Sequence, residues 1–263
     1  MLAVWILLLG AALLPGMAVA EDAPAKKVHI EEVKVDADGA RYADVRLSFP
    51  AGILRLAPGD GRLLAGAFKY SNPDWQPRLD YQVKKERGDL EVEVEGEFNV
   101  GSWDWGDWKE GHNEWDLRLD RRLPVSLKVE FGAGEGHMDL AGLNLQKLHL
   151  SMGAGEAEID LKDTSVPDLL MEAGVGSARV DLSGKWRNDL DATFRCGVGS
   201  LVLILPRDVG VRVEVQGLLG SIEAPGFSQR DGRYTNEAYG DGGYELEVSV
   251  AGGIGDVELR LVD

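Results

Sequence analysis

Three glycines fall within five residues of the stretch VEFGAGEGHMDL, which runs from Val129 to Leu140. A glycine-rich loop after an apolar strand can bind a phosphate group through its backbone amides. A dinucleotide site also needs a helix after the glycines, so that the helix N-terminus faces the phosphate. Here a strand-like pattern follows, and the motif recurs six times along the chain. The sequence therefore argues against nucleotide binding, and no cofactor is predicted.

Asp139, Asp160 and Asp181 follow three successive copies of this motif at intervals of 21 residues. On adjacent strands about 5 Å apart, their carboxylates could bind calcium or act as the paired acids of a glycan-active enzyme. The alternative is structural: each aspartate ends a strand and bonds the turn that follows. The structural interpretation is favoured because Ile204 and Pro225 interrupt the column. No metal site and no catalytic residue are predicted.

The stretch GSWDWGDWKEGHNEW, residues 101–115, is the best candidate for a binding site. Trp103, Trp105 and Trp108 sit among glycine and aspartate, at a spacing that does not direct all three to one core face. Exposed tryptophan rings stack on sugars or fill a partner's pocket. The same rings could instead cap an open end of the fold, and both interpretations remain open. Trp115 begins a strand-like stretch and is predicted to lie in the core.

The histidines and the single cysteine suggest no site. His29, His112, His137 and His149 are scattered and lack the spacing of zinc ligands. Cys196 falls in an inward column and is predicted to be an inert buried thiol. No nucleophile elbow occurs, so we predict that the protein is not an enzyme.

A repeated unit organises most of the chain. Aligning the second glycine of the opening motif with its later copies gives spacings of 21, 21, 23, 21 and 35 residues, the last being one repeat plus a 14-residue insertion. The aligned glycines are Gly134, Gly155, Gly176, Gly199, Gly220 and Gly255. An earlier segment, residues 47–56, fits the same frame less clearly through Gly52.

Apolar and polar residues alternate after each aligned glycine, which is typical of a strand with one buried face. Stacking of such strands would bury a continuous core. We therefore predict an all-β fold: a single-stranded parallel β-solenoid, β-helix-like, with rungs of about 21 residues. Two loop insertions interrupt it, residues 101–115 and residues 225–243. The second carries Phe227, Tyr234, Asn236 and Tyr239 and is predicted to be a structural lid.

The last strand runs to Asp263, so we expect it to form the open end of the stack, where end-to-end self-association would occur. A bend is predicted at each aligned glycine, since glycine permits positive φ and close approach of the next rung.

The net charge and the N-terminal segment limit which partners and which cellular compartment are plausible. The 263 residues carry a net charge of −17, which argues against nucleic acid and anionic membrane surfaces. Residues 1–20 are uncharged, apolar and end in Ala18-Val19-Ala20, which predicts a cleaved signal peptide and no stable membrane span thereafter. An anchor that is kept is the alternative. A periplasmic, secreted or envelope location follows, and a chain with one cysteine has no internal disulfide.

The repeated GAG or GVG at the bend, LPRDVGVRV, RYTNEAY and the closing GIGDVELRL together resemble the toastrack family of exported or envelope-exposed β-solenoid domains. The stretch from Glu114 to Gly136 is similar to the junction between its N-terminal region and its repeats. The family includes adhesin-like proteins and the C-terminal domains of Lia-type cell-envelope stress regulators. The resemblance implies the fold, and binding, scaffolding or stress sensing rather than catalysis.

We therefore divide the chain into a signal peptide (1–20), an N-terminal segment (21–44), an N-terminal toastrack-like region (45–128) and the repeats (129–263). The predicted function is a binding, scaffold or adhesin-like module of the cell envelope, in which stress sensing is one role. Its partner would be an envelope protein or a cell-wall glycan. Carbohydrate binding through the Trp-rich loop is the alternative, and a glycan-active enzyme using the aspartate column is less favoured.

Overall fold

The computed structural model describes residues 27–94 and 113–263. All regular structure in these residues is β-strand, apart from one 3-10 turn at Pro73–Trp75, so the predicted all-β class is confirmed. None of the described residues forms a helix of the length and apolarity needed to cross a membrane. The predicted signal peptide and Trp103, Trp105 and Trp108 lie outside the described residues.

The strands differ greatly in length, because those that carry the repeat continue through the glycine bend. Those before the repeats are β1 (His29–Val35), β2 (Tyr42–Gly59), β3 (Leu64–Tyr70), β4 (Pro77–Lys84), β5 (Arg87–Val94) and β6 (Asn113–Asp120). The repeats form β7 (Val125–Asp139), β8 (Leu145–Asp160), β9 (Asp168–Asp181) and β10 (Leu190–Pro206). The remainder are β11 (Gly210–Gln216), β12 (Ile222–Glu223), β13 (Ser228–Arg230), β14 (Arg233–Thr235) and β15 (Glu245–Val262).

These strands form one mixed sheet. Its middle, in the order β2-β7-β8-β9-β10-β15-β11, is parallel, and both ends are antiparallel. At the N-terminal end the sheet divides, because the first half of β2 pairs with β5 and its second half pairs with β6. The predicted parallel stack is thus found only in the middle, where repeats of equal length can pair in register. The outer strands form hairpins or antiparallel pairs instead.

The aligned glycines stand in one column across the sheet. Gly134 pairs with Gly52 on one side and Gly155 on the other, so the less clear copy at Gly52 belongs to the same frame. At Gly176 φ is +139°, and a Cβ would lie 1.8 Å from the carbonyl oxygen of Gly155. A side chain is therefore excluded both by the backbone conformation and by the adjacent strand. The predicted role of these glycines is confirmed.

The core fills the inside of the bend. Most of the predicted inward positions are buried, including Met138, Ile159, Val180, Leu203 and Leu259. Ile222, Ala224 and Leu261, at the end of the parallel region, are only half-buried. At the N-terminal end, the ring of Trp115 is fully buried and packs edge-on against the rings of Phe49 and Phe68 at 5.0 Å. Trp115 is therefore a core residue, as predicted.

The position of the last strand contradicts the prediction. β15 lies between β10 and β11, so Gly255 pairs with Gly199, and Gly220 lies beyond Gly255. The chain passes through β11–β14 first and then returns to fill the space between. The physical reason is that β15 is one continuous strand of 18 residues, which can pair on both sides. The preceding repeat is interrupted, because a turn at Gly217 separates β11 from β12. Among the described strands, β1, β4, β12 and β13 are those that pair with one neighbour each.

The second insertion is a structural lid, as predicted. Asn236 is buried, its side-chain carbonyl accepts a hydrogen bond from the amide of Val211, and its amide nitrogen donates to the carbonyl oxygens of Pro206, Arg207 and Val209. Tyr234 is also buried, in the short strand β14 that pairs with β11. The hairpin therefore closes one edge of the parallel region.

Candidate functional site

An apolar ridge runs along the outside of the bend. One residue precedes each aligned glycine, and these residues pair across neighbouring strands. The ridge consists, in spatial order, of Ala133, Ala154, Val175, Val198, Ile254 and Leu219. Its four large members are exposed, at 55% for Val175, 48% for Val198, 58% for Ile254 and 71% for Leu219. Exposed aliphatic residues in such a continuous row are unusual on a soluble surface.

Bare backbone borders the ridge on both sides. On one side stands the column of bend glycines described above, and on the other stands the column Gly132, Gly153, Gly174, Gly197 and Gly253. In this second column, a Cβ at Gly153 would lie 2.3 Å from the carbonyl oxygen of Gly132. Close backbone approach therefore keeps side chains out of both bands, and the ridge stands free between them. Gly132 and its column form the floor of a groove of about 890 Å³.

Acidic residues flank the two bands. Beyond the groove lie Glu130, Glu172 and Arg195, with Ser151 between the two glutamates. Beyond the bend glycines lie Glu135, Glu156 and Asp256, with Ser177 and Ser200 in the positions beside Val175 and Val198. The charged side chains among these supply five carboxylates and one guanidinium. The surroundings of the ridge therefore carry a net negative charge, as the whole protein does. An apolar stripe between negative margins is a surface suited to binding rather than to acid-base chemistry.

On the groove side of the ridge, charged side chains of β8, β9 and β10 contact one another. Glu172 accepts a hydrogen bond from the guanidinium of Arg195 at 2.8 Å and lies 3.3 Å from the imidazole Nε2 of His149. The Arg195 contact, followed by that of His149, lowers the pKa of the Glu172 carboxyl. On the other side, hydrogen bonds from the hydroxyl and amide of Ser221 lower the pKa of Asp256. Both carboxylates are therefore ionised at neutral pH.

The aspartate column has the structural role that was favoured from the sequence. One carboxylate oxygen each of Asp139, Asp160 and Asp181 accepts a hydrogen bond from the backbone amide two residues later, at 2.8–3.1 Å. The three aspartates are paired in register, as predicted. Within residues 27–94 and 113–263, no three His, Cys, Asp or Glu side chains form a group that could hold a metal ion.

The other predicted residues are widely separated. His29 stacks on Tyr70, His137 lies between Glu135 and Glu158, and His149 contacts Glu172, whereas His112 lies outside the described residues. Cys196 pairs in register with Ala173 and is half-buried at the groove. It is therefore less buried than predicted, because its column borders the groove. Partial burial raises the pKa of its thiol, so the thiol is protonated at neutral pH.

The Trp-rich segment connects two described residues beside the ridge. Val94, at the end of β5, lines the groove. Asn113, at the start of β6, donates a side-chain hydrogen bond of 2.6 Å to the carbonyl oxygen of Ala51. Ala51 pairs with Ala133, the first residue of the ridge. Trp103, Trp105 and Trp108 lie between these two residues in the sequence, outside the described residues.

The ridge was not found by sequence reasoning. The signal was nevertheless present, since the residue before the aligned glycine is Ala, Ala, Val, Val, Leu and Ile in the six copies. A solvated bend would be expected to carry polar residues there. The pattern does not predict a surface by itself, because apolar positions in a repeat are ordinarily assigned to the core.

Comparisons with known proteins support the fold. The family described as the N-terminal domain of toast_rack, DUF2154, matches residues 23–168 and 147–204. The chain therefore belongs to the toast-rack family, as its motifs implied. No curated protein matches the chain.

Two solved structures illustrate the similarity. A "putative cell adhesion protein" from Clostridium sporogenes is 27% identical, with a TM-score of 0.70 over 90% of this chain and 100% of its own. A "putative adhesin" from Bacteroides fragilis is 12% identical over 90% of this chain and 98% of its own, with a TM-score of 0.30, which is too low to support an argument.

Proposed function

We propose that this protein is an exported binding module of the cell envelope, adhesin-like in role and without catalytic activity of its own. The observation that carries the proposal is the apolar ridge of Val175, Val198, Ile254 and Leu219, held out of the core by glycines on both sides. Its members are spread over several strands, and each is more exposed than a core position would permit.

Energetics support a binding role for the ridge. Burying exposed apolar surface contributes roughly 25 cal/mol per Å², so covering several aliphatic side chains stabilises a complex by several kcal/mol. The exposed part of these side chains contributes nothing to folding, because it remains in water. A partner that covers them would obtain that contribution without any change in the fold.

The similarity to the Clostridium sporogenes structure, whose name refers to cell adhesion, supports the same role. The apolar N-terminal segment, residues 1–20, supports a periplasmic or secreted location. Stress sensing at the envelope would be a specialised form of this binding role, in which the partner is a regulatory envelope protein.

The test compares the wild-type protein with a triple variant, Val175→Thr, Val198→Thr and Ile254→Thr. Threonine keeps the β-branched shape that strands favour while replacing a methyl group by a hydroxyl. We expect the purified variant to bind isolated cell envelopes at least about fivefold more weakly, since apolar contact is lost. A matched control replaces the buried Val180 by Ala, which weakens the core but leaves the ridge intact. Equal binding by the wild type and the ridge variant would contradict the proposal.

Carbohydrate binding through Trp103, Trp105 and Trp108 is the second candidate. It is supported by the residue types of the segment, three tryptophans among glycine and aspartate, since exposed tryptophan rings stack on sugars. The flanking residue Val94 lines the groove. The test is binding to purified cell-wall glycan by the wild type and by the triple variant Trp103→Ala, Trp105→Ala and Trp108→Ala. Loss of glycan binding in this variant, with retention in the ridge variant, would favour the carbohydrate role. Retained binding in the tryptophan variant would exclude it.

A further inference from the structure

We infer that the ridge binds a basic amphipathic helix of a partner protein. This inference rests on the binding role proposed above and specifies the chemistry of the partner. Three properties of the surface lead to it: the length of the ridge, the bare backbone on both sides of it, and the sign of the charges at its margins.

The dimensions of the ridge suit a helix. Six residues on adjacent strands about 4.8 Å apart give a ridge of about 24 Å, which a helix of about 16 residues would span. An amphipathic helix presents its apolar residues in two columns, as at the a and d positions of a heptad. These two columns would lie on either side of the ridge, over the glycine bands, which carry no side chain from Ala133 to Ile254. Beside Leu219, the groove-side column would meet the apolar side chain of Leu218 instead. Apolar contact would then extend along the whole row from Ala133 to Leu219.

The charges select a basic partner. Beyond the bend glycines, Glu135 and Glu156 lie beside the alanine end of the ridge and Asp256 lies beside Ile254, with Ser177 and Ser200 between them. The imidazole of His137 lies 3.5 Å from Glu135. On the groove side, Glu130 contacts Lys128 and Glu172 contacts Arg195. The margin beside the bend glycines therefore carries the larger uncompensated negative charge. Lysine or arginine residues next to the apolar columns of a helix would meet this margin.

The same charges disfavour the other occupants of an apolar surface. In a dimer formed ridge to ridge, the negative margins of two copies would face each other, and each copy carries a net charge of −17. An anionic membrane surface would be repelled for the same reason. A basic helix is attracted by the acidic margins and also covers the apolar ridge. Electrostatic attraction and apolar burial would therefore both favour its binding.

The experiment uses a fluorescein-labelled synthetic peptide of about 16 residues, with leucine at heptad positions a and d, lysine at e and g, and alanine and glutamine elsewhere. Fluorescence anisotropy measures its binding to the purified protein. A second peptide of identical composition, with the leucines distributed around the helix, reports attraction by charge alone. We expect the amphipathic peptide to bind at least about tenfold more tightly than the scrambled one.

Two variants distinguish the ridge from the margin. The ridge variant, Val175→Thr, Val198→Thr and Ile254→Thr, leaves the net charge unchanged and is expected to weaken peptide binding at least about fivefold. The margin variant, Glu135→Gln and Glu156→Gln, is expected to weaken it about threefold and to reduce its dependence on salt. Its control, Glu237→Gln and Asp241→Asn, removes the same number of charges from the turn before β15 and is expected to change binding less.

Three results would overturn the inference. Equal binding of the two peptides would show attraction by charge alone. Equal binding by the wild type and the ridge variant would show that the helix does not lie on the ridge. A dimer in sedimentation of the wild type, with a monomer for the ridge variant and no peptide binding, would show that a second copy covers the ridge. If envelope binding persists without peptide binding, the inference fails and the proposed binding role stands.

Discussion

A methyl group added at Gly176 would lie 1.8 Å from the carbonyl oxygen of Gly155, at a backbone φ of +139°. We expect Gly176→Ala to lower the free energy of unfolding by at least about 3 kcal/mol, because conformational strain and the backbone clash act together. Urea denaturation followed by circular dichroism measures the change. The control is Gly243→Ala, where the added methyl group would meet nothing within 4 Å. Similar denaturation midpoints for the two variants would contradict this account of the glycine column.

The thiol of Cys196 provides a second prediction at the level of a single residue. Burial raises its pKa, so the thiolate fraction at pH 8 is smaller than that of a free cysteine. We expect slow reaction with a thiol-specific disulfide reagent at pH 8, and a reaction rate that increases with pH beyond pH 9. Stopped-flow absorbance measures this rate, and the unfolded protein in urea is the reference. Equal rates in the folded and unfolded protein would show that the thiol is not protected.

At the level of elements, the aspartates that end β7, β8 and β9 hold the turns that follow them. Asp160 accepts a hydrogen bond of 2.8 Å from the amide of Lys162. We expect Asp160→Asn to change the free energy of unfolding by less than about 0.5 kcal/mol, because asparagine keeps the acceptor, and Asp160→Ala to cost about 1 kcal/mol. Thermal denaturation distinguishes the two. Activity of the wild type on acidic polysaccharides that is lost in Asp160→Asn would show instead that this carboxylate is catalytic.

The hairpin of β13 and β14 depends on one buried side chain. Asn236→Ala removes an acceptor for the amide of Val211 and a donor to three carbonyl oxygens. We expect it to lower the free energy of unfolding by about 2–3 kcal/mol, because buried polar groups are left without partners. Asn188→Ala is the matched control, since the side-chain hydrogen bond of Asn188 is at the surface. The prediction fails if both variants denature at the same urea concentration.

At the level of the whole molecule, the last strand of the chain is central to the sheet. β15 pairs with β10 along most of its length and with β11 and β12 on its other side. Its amides should therefore exchange with solvent as slowly as those of β8 and β9, whereas those of β13 should exchange faster. Hydrogen exchange followed by mass spectrometry tests this order. Rapid exchange throughout β15 would indicate that the last strand is an edge, as the sequence alone suggested.

Self-association end to end remains a prediction, and β15 does not provide the edge for it. Within residues 27–94 and 113–263, the strands that pair with one neighbour are β1, β4, β12 and β13, and the last two of these are only two and three residues long. Short edge strands offer little backbone for another chain to pair with. An association through the end of the sheet would therefore involve β1 or β4, at the N-terminal end.

The sequence by itself determined the repeat, the strand class, the buried face and the glycine bends. Each of these follows from local alternation and from the absence of a side chain at fixed intervals, so no knowledge of distant contacts is needed. The structural role of Asp160 and the burial of Trp115 were foreseen for the same reason: the adjacent residues specify a turn and a strand.

Only the tertiary structure decided the order of the strands and the nature of the outer surface. Ile254 and Leu219 are adjacent on the ridge because β15 returns between β10 and β11, which depends on strand continuity and pairing on both sides. Alternation cannot show that the apolar residue between two glycines faces water, because the bend interrupts the two-residue period at that point. The ridge is therefore visible only when the repeats are stacked, and it is there that we place the function.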